Sequence, residues 1–206
     1  MSGESDYGLG IRSGVRGLWR GVMTWQEAQN SIGSTIRRGL RIAWREGAAE
    51  CGIQWSELSQ EELITLSNRI MTELIRLPAF LNAIEVGRKQ DTDGNPNPEA
   101  QPLAGFLKRA ELWANRYKDV ANEAKQLACR DKKLKWVLNL TRVTKAHCVD
   151  CLNMNGRIYR GSTWEKYGIR PQSPALNCGG FRCGCGFLPT DEPCTPGRPP
   201  SLIGPG

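Results

Sequence analysis

The chain has 206 residues, 39% of them apolar, and carries 28 lysines and arginines against 21 acids, a net charge of +7. That sign favours an acidic partner such as nucleic acid, and is equally a common route to solubility. No apolar run approaches the roughly 18 residues of a membrane span, and Met1 to Asp6 lacks a basic segment followed by an apolar one, so neither a transmembrane helix nor a secretory signal is expected.

Residues 1–21 are rich in glycine and arginine around Trp19 and are expected to form a flexible N-terminal arm, ordered on a partner if at all. Thr24-Trp-Gln-Glu27 has the form of a capping box and predicts a helix start. Trp25, Ala28, Ile32, Ile36, Leu40 and Ala43 or Trp44 then recur every three or four positions, so one apolar stripe runs to about Glu50. Arg37, Arg38, Arg41 and Arg45 fall off that stripe, as a solvated face or one turned to phosphates. A second box, Ser59-Gln-Glu-Glu62, opens a helix through Leu66, Ile70, Leu74 and Leu77 that Pro78 is expected to close, with a short further helix over Phe80 to Gly87. Residues 22–88 thus read as a helical region, with Cys51 as a small apolar packing residue.

Residues 89–102 contain three prolines and read as a linker. From Leu103 the steps 3, 4, 3, 4 through Phe106, Ala110, Trp113, Tyr117, Val120, Ala124 and Leu127 mark the seam of one long helix over 103–132. Its default mate is internal, and Cys129 near its end is expected to pack. Leu134, Trp136 and Leu138 alternate with Lys135 and Val137, which predicts a strand; Arg157 to Arg160 is a second, and Ser162 to Glu165 one helical turn. Residues 189–206, rich in proline, are expected as a disordered or partner-wrapped tail. The fold class is therefore mainly α: a helical bundle with one heptad-patterned helix, followed by a small α+β, cysteine-rich lobe over 133–188.

Five of the eight cysteines fall within that lobe: Cys148, Cys151, Cys178, Cys183 and Cys185, with His147 beside the first. A C-x-x-C pair aims two thiolates at one point, and Zn²⁺ takes four such ligands at about 2.3 Å. The second half, C-x₄-C-x-C, leaves the fourth ligand open among Cys178, Cys183 and Cys185, with His147 in reserve. Structural Zn²⁺, disulfides and free thiols all fit the spacing; synthesis in a reducing cytosol favours the metal. A thioredoxin-like role is disfavoured, because Leu152 to Gly156 reads as a short turn into a strand rather than as the helix that such a motif opens. The lobe has little apolar content and needs the metal, or packing on the long helix, as its core. Cys194 lies outside the cluster and is excluded as a ligand.

At His147-Cys-Val-Asp-Cys-Leu-Asn-Met-Asn-Gly-Arg-Ile-Tyr159, Ser162-Thr-Trp164, Gly168-Ile-Arg-Pro-Gln-Ser173 and Leu176-x-Cys-Gly-Gly-Phe-x-Cys-x-Cys185, the sequence resembles the minor head proteins of tailed bacteriophages, the Mu-type head morphogenesis family. The motif covers roughly residues 103–188. The resemblance implies a non-enzymatic virion component, made in the host cytoplasm and located at the portal vertex or inside the head. Its implied partners are the portal protein or the major capsid protein, with loose contact to packaged DNA. It would support head assembly, DNA packaging or delivery. Residues 1–100 inherit nothing specific from it.

The single histidine is not read as part of a Ser-His-Asp set, and no H-E-x-x-H, P-loop or G-x-G-x-x-G is present, so no enzymatic activity is expected. A zinc deaminase would need a glutamate two positions after His147, where Val149 stands. The alternative is a zinc-knuckle nucleic-acid-binding protein, using Arg157, Arg160, Lys166, Arg170 and Arg182 for phosphates and Tyr159, Trp164 and Phe181 for bases. Those aromatics read more simply as the core of the lobe.

Overall fold

The computed structural model describes residues 3–88, 90, 94–138, 147–180 and 183–204. The chain is mainly helical with a cysteine-rich C-terminal region, as the sequence pattern requires. It divides into two compact units: residues 1–42 with 64–117, and residues 43–63 with 118–206.

The first unit is a bundle of four helical segments. They come from α1 (Gly3–Trp19), α2 (Trp25–Ala49), α3 (Gln60–Gly87) and α4 (Leu103–Ala128). The capping box at the start of α2 forms as expected: Thr24 N donates to Glu27 Oε2 at 2.8 Å, and Glu27 N to Thr24 Oγ1 at 3.2 Å. Ser59 and Glu62 make the same exchange ahead of α3. The predicted stripe of α2 is buried from Ala28 to Trp44, and the α4 seam from Phe106 to Ala124.

Two expectations are corrected here. Residues 3–19 are not a loose arm but the helix α1, which buries Tyr7, Ile11, Val15 and Leu18 at helical spacing. Its glycines are sites of close approach: a Cβ on Gly14 would run into the side chain of buried Ile32, and one on Gly10 would stand 2.8 Å from Thr35 Cγ2. What looks like chain-breaking composition is a smooth face for α2. Secondly, α3 does not stop at Pro78 but runs through it to Gly87. An internal proline costs about 3 kcal/mol. Leu77, Phe80, Leu81 and Ile84, all buried beside it, return about 1.5–3 kcal/mol each, so burial wins.

In the linker, the Asn97 side-chain amide donates to the carbonyls of Val86 (2.7 Å) and Arg88 (2.8 Å), closing the end of α3. Gln101 N returns to Gly87 O at 2.8 Å.

The second unit has the C-terminal ends of α2 and α4 as its helical base. Gly47 lies directly against the backbone of Ala121 there. Cys51 and Cys129, expected as packing residues, are joined in a disulfide with their Cα atoms 5.5 Å apart, inside the usual bonding range. Among the described residues the sheet has the antiparallel order β2-β1-β3, with β1 (Lys133–Val137), β2 (Ile158–Arg160) and β3 (Gly186–Pro189). The alternation in β1 buries Leu134 and Trp136 fully. Two short helices complete the unit: α5 (Val149–Met154) and α6 (Gly161–Lys166).

The core of this unit is aromatic. Trp164 contacts Tyr159 edge-on at 4.9 Å between ring centroids, Phe187 at 5.4 Å and Trp136 at 5.8 Å. Trp164 Nε1, wholly enclosed, donates to Leu134 O at 3.0 Å.

The last turns of α4 carry polar side chains that are nonetheless buried, and each has a task. Asn122 Oδ1 accepts from Phe187 N at 3.1 Å, and Lys125 Nζ donates to Phe187 O at 2.7 Å, so the outer edge of β3 is satisfied at that residue by one helix. Gln126 Nε2 donates to Ile169 O at 3.1 Å. Asp119 and Glu123 take Arg170 at 2.9 and 3.0 Å.

Residues 190–204, expected as a disordered tail, form a strap on this same unit. Thr195 N donates to Ile158 O at 2.8 Å, and Ile158 N to Thr195 Oγ1 at 2.9 Å, on the outer edge of β2. Tyr159 Oη reaches Arg198 O at 3.2 Å, and Asn177 Nδ2 reaches Gly204 O at 3.0 Å. Proline removes backbone donors and fixes φ without removing acceptors, so a proline-rich strap that keeps the N–H groups of Thr195 and Ile203 and otherwise offers acceptors is ordered at low entropic cost.

Candidate metal centre

Cysteines from three places meet beside the sheet. The first pair belongs to α5: Cys148 is its N-cap, with extended backbone (φ −69°, ψ 160°), and Cys151 is its third residue. The helix corrects the expected short turn over these positions. Gly156 N donates to Trp136 O and Trp136 N to Arg157 O, both at 2.9 Å, which seats the end of α5 on β1.

Cys178 lies within a tight turn in which Gly179 N returns to Leu176 O at 2.7 Å. Gly180 has φ +72°, and a Cβ there would strike the carbonyl of Gln172. Only glycine meets both conditions. Gln172, itself buried with φ +64°, donates its Nε2 to Cys183 O at 2.5 Å. Cys183 and Cys185 then lead directly into β3. Phe181 and Arg182 lie outside the described residues.

Between the two halves sits Asp150, the residue inside the C-x-x-C pair, with no exposed surface. Its Oδ2 accepts from Asn177 N at 2.7 Å, next to Cys178, and its Oδ1 from Ile203 N at 2.8 Å, in the strap. One buried carboxylate thus fixes the α5 pair to the second cysteine segment and to the strap.

The five cysteines fall into two triads, Cys148-Cys151-Cys178 and Cys151-Cys183-Cys185, within each of which the sulfur atoms all lie within 4.8 Å of one another. Cys151 belongs to both. Its Sγ is 3.6 Å from that of Cys183. His147, the reserve ligand, has its Nδ1 3.8 Å from Cys185 Sγ. Cys151 and Cys185 are buried, while Cys148, Cys178 and Cys183 are half-buried. Cys194 is exposed and belongs to neither triad.

The thiols differ in acidity for reasons of position. Burial pushes Cys148 up, the opposite of the lowered thiol of a redox-active C-x-x-C pair. Hydrogen bonds to Cys178, Cys183 and Cys185 push Cys151 strongly up, and the bond from Cys151 draws Cys183 down.

These residues could hold a metal ion. The donor set is thiol and imidazole, and both oxygens of the nearest buried carboxylate, Asp150, are occupied by backbone N–H groups. Soft and borderline transition ions fit such a set, and hard oxygen-seeking ions such as Ca²⁺ and Mg²⁺ do not. Asp150 and Gln172 were not singled out by the sequence reading; the acidic residue inside C-x-x-C was the available signal for the first.

Tyr159 and Trp164, the described members of the aromatic set considered for base stacking, are buried in the core. Arg37, Arg38, Arg41 and Arg45 of α2 are all exposed. No described helix is long and apolar enough to cross a membrane. No known protein family, curated protein or solved structure matches the chain.

Proposed function

We propose that this chain is a non-enzymatic minor head protein of a tailed bacteriophage, whose C-terminal lobe is closed by structural Zn²⁺. The observation that carries the reading is the gathering of all five motif cysteines into two sulfur triads that share the buried Cys151, packed on the core of the second unit. The H-C-x-x-C and C-G-G-x-x-C-x-C runs that resemble the head morphogenesis family are thereby the organising element of the lobe rather than scattered thiols. Zinc suits the donor set, because thiolates and imidazole in a tetrahedron are its ordinary structural ligands.

The site belongs in the virion, at the portal vertex or inside the head, with portal or major capsid protein as its neighbours. The exposed arginines of α2 suit loose, sequence-independent contact with packaged DNA. A nucleic-acid-binding module that uses the lobe itself has less support, since Tyr159 and Trp164 have no free face on which a base could stack.

Mass spectrometry of virions from the genome that encodes the chain tests the assignment. A few copies in purified heads are expected, and absence from heads overturns the reading. Elemental analysis of the purified chain tests the metal: zinc is expected, and a different ion or none overturns that part.

A further inference from the structure

One tetrahedral ion accepts four ligands, and five thiols meet here, those of Cys148, Cys151, Cys178, Cys183 and Cys185, with His147 Nδ1 beside one of them, Cys185. They do not form one set of equivalent neighbours. The sulfurs divide into two triads that share Cys151, and His147 stands at 3.8 Å from Cys185, a member of the second triad alone. Ligands at about 2.0–2.3 Å in a tetrahedron are about 3.3–3.8 Å apart along its edges. The 3.6 Å between Cys151 and Cys183 and the 3.8 Å between Cys185 and His147 are edges of that size.

Charge points the same way. Five thiolates around a single dication leave a net charge of about −3 beside the buried Cys151 and Cys185, and a second dication reduces it to about −1; uncompensated charge in a buried site is costly.

We propose that the cluster is a binuclear centre, with two Zn²⁺ ions bridged by the Cys151 thiolate. This rests on the metal-centre reading above. The first ion is held by Cys148, Cys151 and Cys178 and keeps one position for water. The second is held by Cys151, Cys183 and Cys185, with His147, 3.8 Å from Cys185, as the donor available for its fourth position. Loading replaces five thiol protons by two dications and releases those protons to solvent.

Native mass spectrometry of the full chain, with elemental analysis, reads the stoichiometry. Two Zn²⁺ per chain are expected; one overturns the binuclear proposal and leaves the structural-zinc reading standing, and none overturns both. ¹¹³Cd loading reads the bridge without any substitution. Two cadmium resonances coupled through a shared sulfur are expected, and two uncoupled resonances overturn the bridging role of Cys151. The triads are separated by Cys178→Ser and Cys185→Ser, each of which is expected to retain one ion. A Cys178→Ser chain that still binds two overturns the assignment of the first site.

Discussion

Ile203 donates its backbone N–H to the buried carboxylate of Asp150 at 2.8 Å, across 53 positions of sequence. The other oxygen of that carboxylate holds Asn177 N at 2.7 Å, so one side chain inside the C-x-x-C pair positions both the second cysteine segment and the strap. Replacing Asp150 by alanine orphans two N–H groups, at about 1–3 kcal/mol each. It also loosens the frame of the ligands, which typically lowers metal affinity about 10–100-fold. Asp150→Asn keeps an acceptor and should fall between the two. Thermal melting and zinc competition measure both effects. Wild-type values in the alanine variant would sink the positioning role.

The Cys51–Cys129 bond closes a loop between residues 78 positions apart. A disulfide typically contributes about 2–4 kcal/mol of stabilisation, so Cys51→Ala should lower the denaturant midpoint of the second unit accordingly. In denaturant with chelator, six of the eight thiols should react before reduction and all eight after it. Eight before reduction would show that the pair is not joined in the purified protein.

Arg130 forks between two carboxylates, donating to Glu61 at 2.7 and 2.8 Å and to Glu165 at 2.8 and 2.9 Å. Its hydrogen bonds hold the Glu61 carboxyl below the usual range. A group whose folded pKa is depressed contributes stability that is complete above its unfolded pKa of about 4.3 and is lost as pH falls through the folded value. Chemical denaturation between pH 7 and pH 3 should therefore show a shallower acid loss for Glu61→Gln than for the native chain. Superimposable profiles would remove Glu61 from the acid response.

Gly47→Ala places a methyl against the backbone of Ala121, which has no rotamer to yield. Overpacking of this kind costs about 1–3 kcal/mol, against a gain of about 1 kcal/mol in helix propensity. Net destabilisation on the order of 1 kcal/mol is expected in urea titration. A neutral or stabilised variant would mean that the helices separate freely at this point.

What the sequence made legible was local. The boxes at Thr24 and Ser59 announce their helices because donor and acceptor are three residues apart, and the α4 seam does so because its period is unbroken. The cysteine cluster was legible through residue type and spacing. α1 was not, since Gly10 and Gly14 signal disorder until Thr35 and Ile32 are known to lie against them. Pro78 read as a stop because the burial of Leu77, Phe80, Leu81 and Ile84 that outweighs it comes from tertiary packing, which no local pattern states. β3, the Cys51–Cys129 pair and the strap depend on partners tens of residues away, such as Asn122 for Phe187 and Thr195 for Ile158. No window of the sequence contains both members of such a pair.

The sheet of the second unit has an occupied hydrogen-bonding position on each flank. Side chains of α4 take both backbone groups of Phe187, and Thr195 takes both of Ile158. A neighbouring chain that approaches either residue in extended form finds no free donor or acceptor there. Strand addition, the usual route by which small sheets recruit peptides or stack into fibrils, is blocked at both places.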